Sequence, residues 1–182
     1  MSTIQQYNEA VASCKDIFMK KTKDYGTSWR VLRTISVADQ IFIKAKRIRT
    51  LQESDIQKVE DSINAEFMGI LNYGIVGLIQ LDLKTDEVED LPADVVESLY
   101  DKMANNARNL MENKNHDYGE AWRDMSQESF TDLILSKLLR VRQILANKGK
   151  TLISEGIDAN FYDIINYAAF ALILIGEGKH RA

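Results

Sequence analysis

The sequence predicts an all-α protein: a helical bundle of about six helices, built from two tandem three-helix repeats with a pseudo-twofold relation. Three observations carry this. One proline and nine glycines in 182 residues leave few breakers, and apolar residues recur mostly at spacings of three and four, the helical period. The chain also repeats itself: KKTKDYGTSWR at 20–30 returns as NKNHDYGEAWR at 113–123, 93 positions on. Each copy then ends in a stretch that is apolar nearly all round, FMGILNYGIVGLIQL and FYDIINYAAFALILI. A helix of that kind belongs at the centre of a bundle.

The repeat extends well beyond its opening motif. Without a gap, Ser36, Asp39, Ile41, Lys44, Arg47 and Arg49 return as Ser129, Asp132, Ile134, Lys137, Arg140 and Arg142. After one inserted residue, Phe67, Asn72 and Tyr73 return as Phe161, Asn166 and Tyr167. A repeat of this length sets the architecture. Whatever both copies kept is what the shared unit, or a shared site, requires.

Each element has a local reason. A first helix over about 4–23 places Ile4, Tyr7, Val11, Cys14 and Phe18 on one stripe. The Tyr25-Gly26 turn ends it, since glycine supplies the left-handed position that a helix end favours. Ser36 and Asp39 have capping-box spacing and open a second helix; Ser54 and Gln57 open a third, which runs to about Leu81. The charged segment DLKTDEVEDLP, 82–92, reads as a linker, with Pro92 suited to the first turn that follows. Repeat two gives helices near 93–116, 129–148 and 159–176, with Ser129 and Asp132 repeating the box and turns at Asn147 to Gly149 and at Glu155-Gly156. The organisation is one compact domain, 1–182, with repeat one at 4–81 and repeat two at 93–176. The two third helices are expected to pack together, with Gly69, Gly74 and Gly77 on one and Ala168, Ala169 and Ala171 on the other letting the backbones approach closely. A glycine inside a helix costs about 1 kcal/mol relative to alanine, so three of them point to a packing demand.

Composition narrows the function classes. The single cysteine, Cys14, falls on an apolar stripe and reads as a packed thiol. The opening MSTIQQYNEA is polar rather than a secretory signal. The longest apolar stretch, 161–176, is short for a bilayer and holds an Asp and an Asn. A cytoplasmic protein with no membrane partner is the expectation. A net charge of −4 argues against a general nucleic-acid surface. An exposed strip on the first or fourth helix would suit a homodimer. No Gly-rich phosphate loop, Cys/His zinc spacing or Ser/His/Asp signature is present.

Several groups carry chemistry. Asp24 and Asp117 stand at helix C-termini, where the dipole disfavours a carboxylate. Each is therefore held by a cation, as part of a structural turn, or binds a metal or ligand. Tyr25 with Trp29, and Tyr118 with Trp122, either pack that turn or stack on a base. Lys44 with Arg47, and Lys137 with Arg140, share a helix face at i,i+3 and could clamp phosphate oxygens or form an internal salt bridge to Asp24 or Asp117. Arg49 and Arg142 read as surface residues, and Asp39 and Asp132 as caps. Asp163, Asn166 and Tyr167 lie at i, i+3 and i+4 on a helix that should be buried. A buried carboxylate is costly unless it is paired or bound to a metal, so Asp163 is a candidate metal ligand or general base, or the acidic half of a buried Asp–Arg pair. Repeat one has Gly69 in its place but keeps Asn72 and Tyr73, and Glu66 stands one turn earlier. Repeat one thus reads as the degenerate copy. Asp94, Glu97 and Asp101 read as a solvated face, and His180 as part of a frayed tail.

The order Lys-x-x-Asp-Tyr-Gly-x-x-Trp, Lys-x-x-Arg, then Asp-x-x-Asn-Tyr resembles the nucleotide modification associated domain 1 family over nearly the whole chain. More distantly it is similar to the all-α nucleoside triphosphate pyrophosphatases, the MazG and dimeric dUTPase group. That resemblance implies a nucleotide ligand, hydrolysis of a nucleoside triphosphate with Mg²⁺ held by Asp117 and Asp163, and phosphate contacts from Lys137 and Arg140. The Glu-x-x-Glu pair of those pyrophosphatases is replaced here by Lys-x-x-Arg. The alternative is a non-catalytic nucleotide-binding or scaffolding protein whose Asp–Lys/Arg pairs are structural.

Overall fold

The structure is a computed structural model of the chain, and it describes all residues except 55, 57–61, 84–89 and 153–154. It is all-helical among the described residues: α1 Thr3–Tyr25, α2 Thr34–Glu53, α3 Ile63–Leu83, α4 Ala93–Tyr118, α5 Gln127–Ala146 and α6 Ile157–Gly176. Short 3-10 turns at Ser28–Val31 and Ala121–Asp124 follow α1 and α4. The expected two-repeat order is present.

The helix starts differ from those read off spacing. Helix α5 is capped by Ser126, whose hydroxyl accepts the Ser129 N–H, so Ser129 lies one turn inside the helix. Arg33 occupies the matching position before α2, with no side-chain cap. The Ser36 and Ser129 capping boxes are therefore not formed. Ser62 accepts the Ala65 N–H at 3.0 Å at the start of α3, and the Gln57 half of the expected Ser54–Gln57 start lies outside the described residues. Gly26 and Gly119 end α1 and α4 at φ +67° and +64°, a backbone conformation that side chains disfavour.

Helices α3 and α6 form the central pair, flanked by α2 and α5, with α1 and α4 packed across them. A methyl group on Gly74 would lie 2.6 Å from Ile165 Cγ1, and one on Gly77 would lie 2.9 Å from Phe161 Cζ. These two glycines let the central helices approach closely at Ile165 and Phe161, and Ala168, Ala169 and Ala171 are buried on α6. Gly69 does not share this role; it faces Lys44. Helix α6 starts earlier than expected and is long and apolar enough to cross a membrane, yet it is mostly buried in the bundle. Cys14 is fully buried, which pushes its thiol up to about 12, as a packed thiol requires.

The pseudo-twofold relation appears in reciprocal contacts. Asn166 donates to Ala107 O at 3.1 Å and accepts from the Tyr7 hydroxyl at 2.7 Å. Asn72 donates to the equivalent Cys14 O at 3.0 Å and accepts from the equivalent Tyr100 hydroxyl at 2.8 Å. Each asparagine thus bonds its own repeat's first helix and the tyrosine of the other repeat. Burial raises both tyrosine pKa values. Arg142 pairs with Asp39 at 2.8 Å, and Arg49 with Asp132 at 3.8 Å. The two aspartates are not caps, and the two arginines are more than solvated surface: they cross between α2 and α5. The C-terminal tail is also tied down. Gln127 donates to Arg181 O and Arg181 donates to Leu51 O, both at 2.7 Å.

Candidate functional site

Helices α4, α5 and α6 bring Asp163 to two lysines. Its two oxygens pair with Lys114 and with Lys137, each at 2.8 Å. Lys137 shares the α5 face expected of it. Lys114 comes from the last turns of α4, three residues before Asp117. Burial alone would lower the pKa of Lys114, but its bond to Asp163 and the aspartate's charge outweigh this and raise it. Asp163 is buried, and its ion pairs are the compensation that such burial needs.

The other expected members of the repeat-two site are placed elsewhere. Asp117 is exposed and, among the described residues, pairs with His116 at 3.2 Å rather than joining Asp163. Among the described residues, no three His, Cys, Asp or Glu side chains gather as a metal site. With both Asp163 oxygens held by ammonium groups and Asp117 in solvent, the expected Mg²⁺ pair does not fit the geometry. Tyr118 is 78% exposed. Trp122 is buried, stacked on Phe170 with ring centroids 4.2 Å apart, and so is closed to a nucleobase. Asn166 is spent on its bridge to Tyr7 and Ala107. Tyr167 is half-buried, with its pKa raised by burial and by Asp163. Arg140 is exposed.

Repeat one holds an open pocket where repeat two is filled. A cavity of about 540 Å³ lies between α1, the following 3-10 turn, α2 and α3. Its walls include Lys21, Lys44, Gly69, Glu66, Asn72, Gln40 and the rings of Tyr25, Trp29 and Tyr73. That volume is typical of a small-molecule site. Two replacements distinguish it from repeat two. Gly69 stands where Asp163 fills the space, and Val76, which lines the cavity, stands where Phe170 stacks on the tryptophan. Lys21 and Lys44 are the counterparts of Lys114 and Lys137. Neither has an acidic partner among the described residues; Lys44 lies 5.9 Å over the Tyr73 ring. Glu66 does not stand in for Asp163, because it is drawn to Arg47 at 3.3 Å. Asp24 is exposed and lies outside the pocket lining.

The turn after α1, whose Gly26, Ser28 and Trp29 line the pocket, is braced by Asp90, just before α4. Its Oδ1 accepts from Thr27 N–H at 3.0 Å, Thr27 Oγ1 at 2.9 Å and Leu91 N–H at 3.1 Å. The bond from the Thr27 backbone is the main cause that holds this carboxyl below its usual range. Gln80 fixes the 3-10 turn from below, donating to the carbonyls of Arg30 and Leu32 at 2.8 Å and accepting from the Arg30 guanidinium. Sequence reasoning missed Lys21, Lys114 and Gln80. Both lysines were visible as the first residue of the repeated Lys-x-x-Asp-Tyr-Gly motif.

The fold is that of an all-α tandem-repeat protein in which the space filled by Asp163 and Phe170 in repeat two is open as a pocket in repeat one. The sequence model of the nucleotide modification associated domain 1 family matches residues 21–81 and 114–175, one segment in each repeat. The chain belongs to that family. No curated protein and no solved structure matches it.

Proposed function

We propose that the protein binds a nucleotide in the repeat-one pocket and acts in nucleotide modification as a nucleotide-binding protein. The observation that carries this reading is the joining, in one cavity, of aromatic rings with lysines that have no acidic partner among the described residues. Tyr25, Trp29 and Tyr73 offer π-faces to a base, and Lys21 and Lys44 offer charge to phosphates. Base–aromatic stacking contributes about 1–3 kcal/mol per base. Membership of a family named for nucleotide modification supports the same ligand class.

Hydrolysis is a separate claim from binding. The geometry supports binding first, since Asp163 is committed to its two lysines. One assay addresses both. Nucleoside triphosphates, including modified pyrimidines, are titrated against Trp122→Phe protein, so that Trp29 alone reports on the pocket. Pyrophosphate release with Mg²⁺ is followed in parallel on wild type. Saturable quenching of Trp29 by one class of nucleotide, lost in Tyr73→Ala, is the expected result. No binding by any nucleotide at millimolar concentration overturns the reading. Release of pyrophosphate would extend it to a hydrolase.

A further inference from the structure

We infer that Lys21 and Lys44 form an anion seat, in which a phosphate group of the bound molecule takes the place that Asp163 fills in the other repeat. The inference deepens the nucleotide reading and uses the same pocket, but it rests on the lysines and not on the nucleoside.

The two repeats serve as each other's control. In repeat two, the ammonium groups of Lys114 and Lys137 each hold one oxygen of a single carboxylate at 2.8 Å. The protein itself thus shows what this pair of lysines binds: two oxygens on one central atom, carrying negative charge. In repeat one the same two lysine positions are kept and the carboxylate is removed, side chain and all. What remains is a pocket wall with two positive charges and no acid that neutralises them among the described residues. Glu66 is close enough to line the pocket but is engaged by Arg47. A phosphate presents the same pair of oxygens with at least the same charge, and charge-assisted bonds to it are the strong kind.

The backbone leaves room for this exchange. The atoms nearest a methyl group on Gly69 would be those of Lys44, at 2.9 Å from Cε and 3.1 Å from Nζ. Those atoms are the far end of a flexible side chain, already lying over the missing side chain's position. The end of Lys44 can therefore move to take an oxygen supplied either by a residue at 69 or by a ligand. Val76 adds depth beside Trp29, where Phe170 closes the other repeat. A ligand whose phosphate sits at Gly69 would have its remaining part directed among the Tyr25, Trp29 and Tyr73 rings.

The decisive variant is Gly69→Asp, which rebuilds the repeat-two ion pair inside the pocket. Pyrophosphate is the probe, measured by calorimetry on the full chain at low and high salt, with uridine and uridine triphosphate as companions. Wild type should bind one pyrophosphate, more weakly at high salt. Gly69→Asp should weaken that binding at least tenfold while raising the melting temperature, because the introduced carboxylate satisfies Lys21 and Lys44. Lys21→Gln and Lys44→Gln should each weaken it severalfold. If Gly69→Asp fails to fold, the lysine pair decides the matter. Unchanged pyrophosphate binding in the double Lys21→Gln, Lys44→Gln variant, or no binding by wild type, overturns the seat. Uridine triphosphate held equally well by wild type and Gly69→Asp would also overturn it, while leaving the nucleotide reading intact. Pyrophosphate held through the lysines, with no nucleotide binding more tightly than pyrophosphate, would keep the seat and sink the nucleotide reading.

Discussion

Repeat one and repeat two present the same helices, the same turn and the same lysines, yet a space that is open in one is filled in the other. The difference lies in few side chains. Asp163 and Phe170 fill repeat two from α6, where α3 offers Gly69 and Val76. The Asn72 and Asn166 bridges and the crossed Asp–Arg pairs stayed the same and join one repeat to the other. The lysines and the Tyr-Gly-x-x-Trp turn also stayed the same, and the pocket opens where Gly69 and Val76 replace Asp163 and Phe170. Identity between the repeats therefore covers both the architecture and the charged and aromatic walls of the pocket, while the departure marks where space opens.

The comparison can be broken most sharply at Asp163. Asp163→Ala leaves Lys137 poorly solvated and without a partner, so it should cost about 2–4 kcal/mol in ligand-free denaturation, somewhat less than a fully enclosed pair because Lys114 can reach water. No loss, or a gain, would mean that Asp163 is a strained ligand waiting for a metal. The two turn glycines give the next test. Both have positive φ, and backbone strain of this kind costs on the order of 1–3 kcal/mol. A Cβ on Gly26 would also lie 2.8 Å from Asp90 Oδ1, whereas nothing lies within 4 Å of one on Gly119. Gly26→Ala should therefore melt lower than Gly119→Ala; equal losses would remove Asp90 as a brace of the turn after α1.

Tyr7→Phe and Tyr100→Phe test the part of the comparison where the repeats agree. Each leaves one asparagine oxygen without its hydroxyl donor and should cost about 1–2 kcal/mol by urea titration. Clearly unequal costs would argue against a true pseudo-twofold core. The smallest effect concerns acid. Bonds from Lys179, Gln6 and Arg123 pull Glu177 from its ordinary 4.5 down to about 2. Its stabilising contribution is then present above pH 4.5 and fades as the pH falls through about 2. Glu177→Gln should flatten the acid side of a melting-temperature profile. Repeat one, where Arg30 meets Gln80 instead, has no matching dependence to lose.

Much of the architecture was legible because its signals are local. The repeat offset, the apolar third helices and the glycine turns all follow from spacing along the chain. Asp163 was legible as a buried charge in need of a partner; that its partners are Lys137 and Lys114, rather than an arginine, was not. The helix starts were misread because Ser36 and Ser129 sit at cap-like spacing, while the bond is made by Ser126. Asp39 and Asp132 were read as caps for the same reason; their partners lie a hundred residues away across α2 and α5, beyond any local pattern. The open pocket was read backwards. Gly69 looked like a site that had decayed, because a sequence displays the side chains that are present and not the space left where one is missing. Only the fold shows that Lys21 and Lys44 still face that space.

The crossed tyrosine–asparagine bonds bear on how the molecule comes apart. Neither central helix can satisfy its asparagine without a hydroxyl lent by the opposite half, so partial melting of one repeat strips a buried group in the other. The pair should lose structure as one cooperative unit, with a single calorimetric transition. A ligand seated in repeat one would then protect backbone amides in repeat two from hydrogen exchange, though it touches none of them.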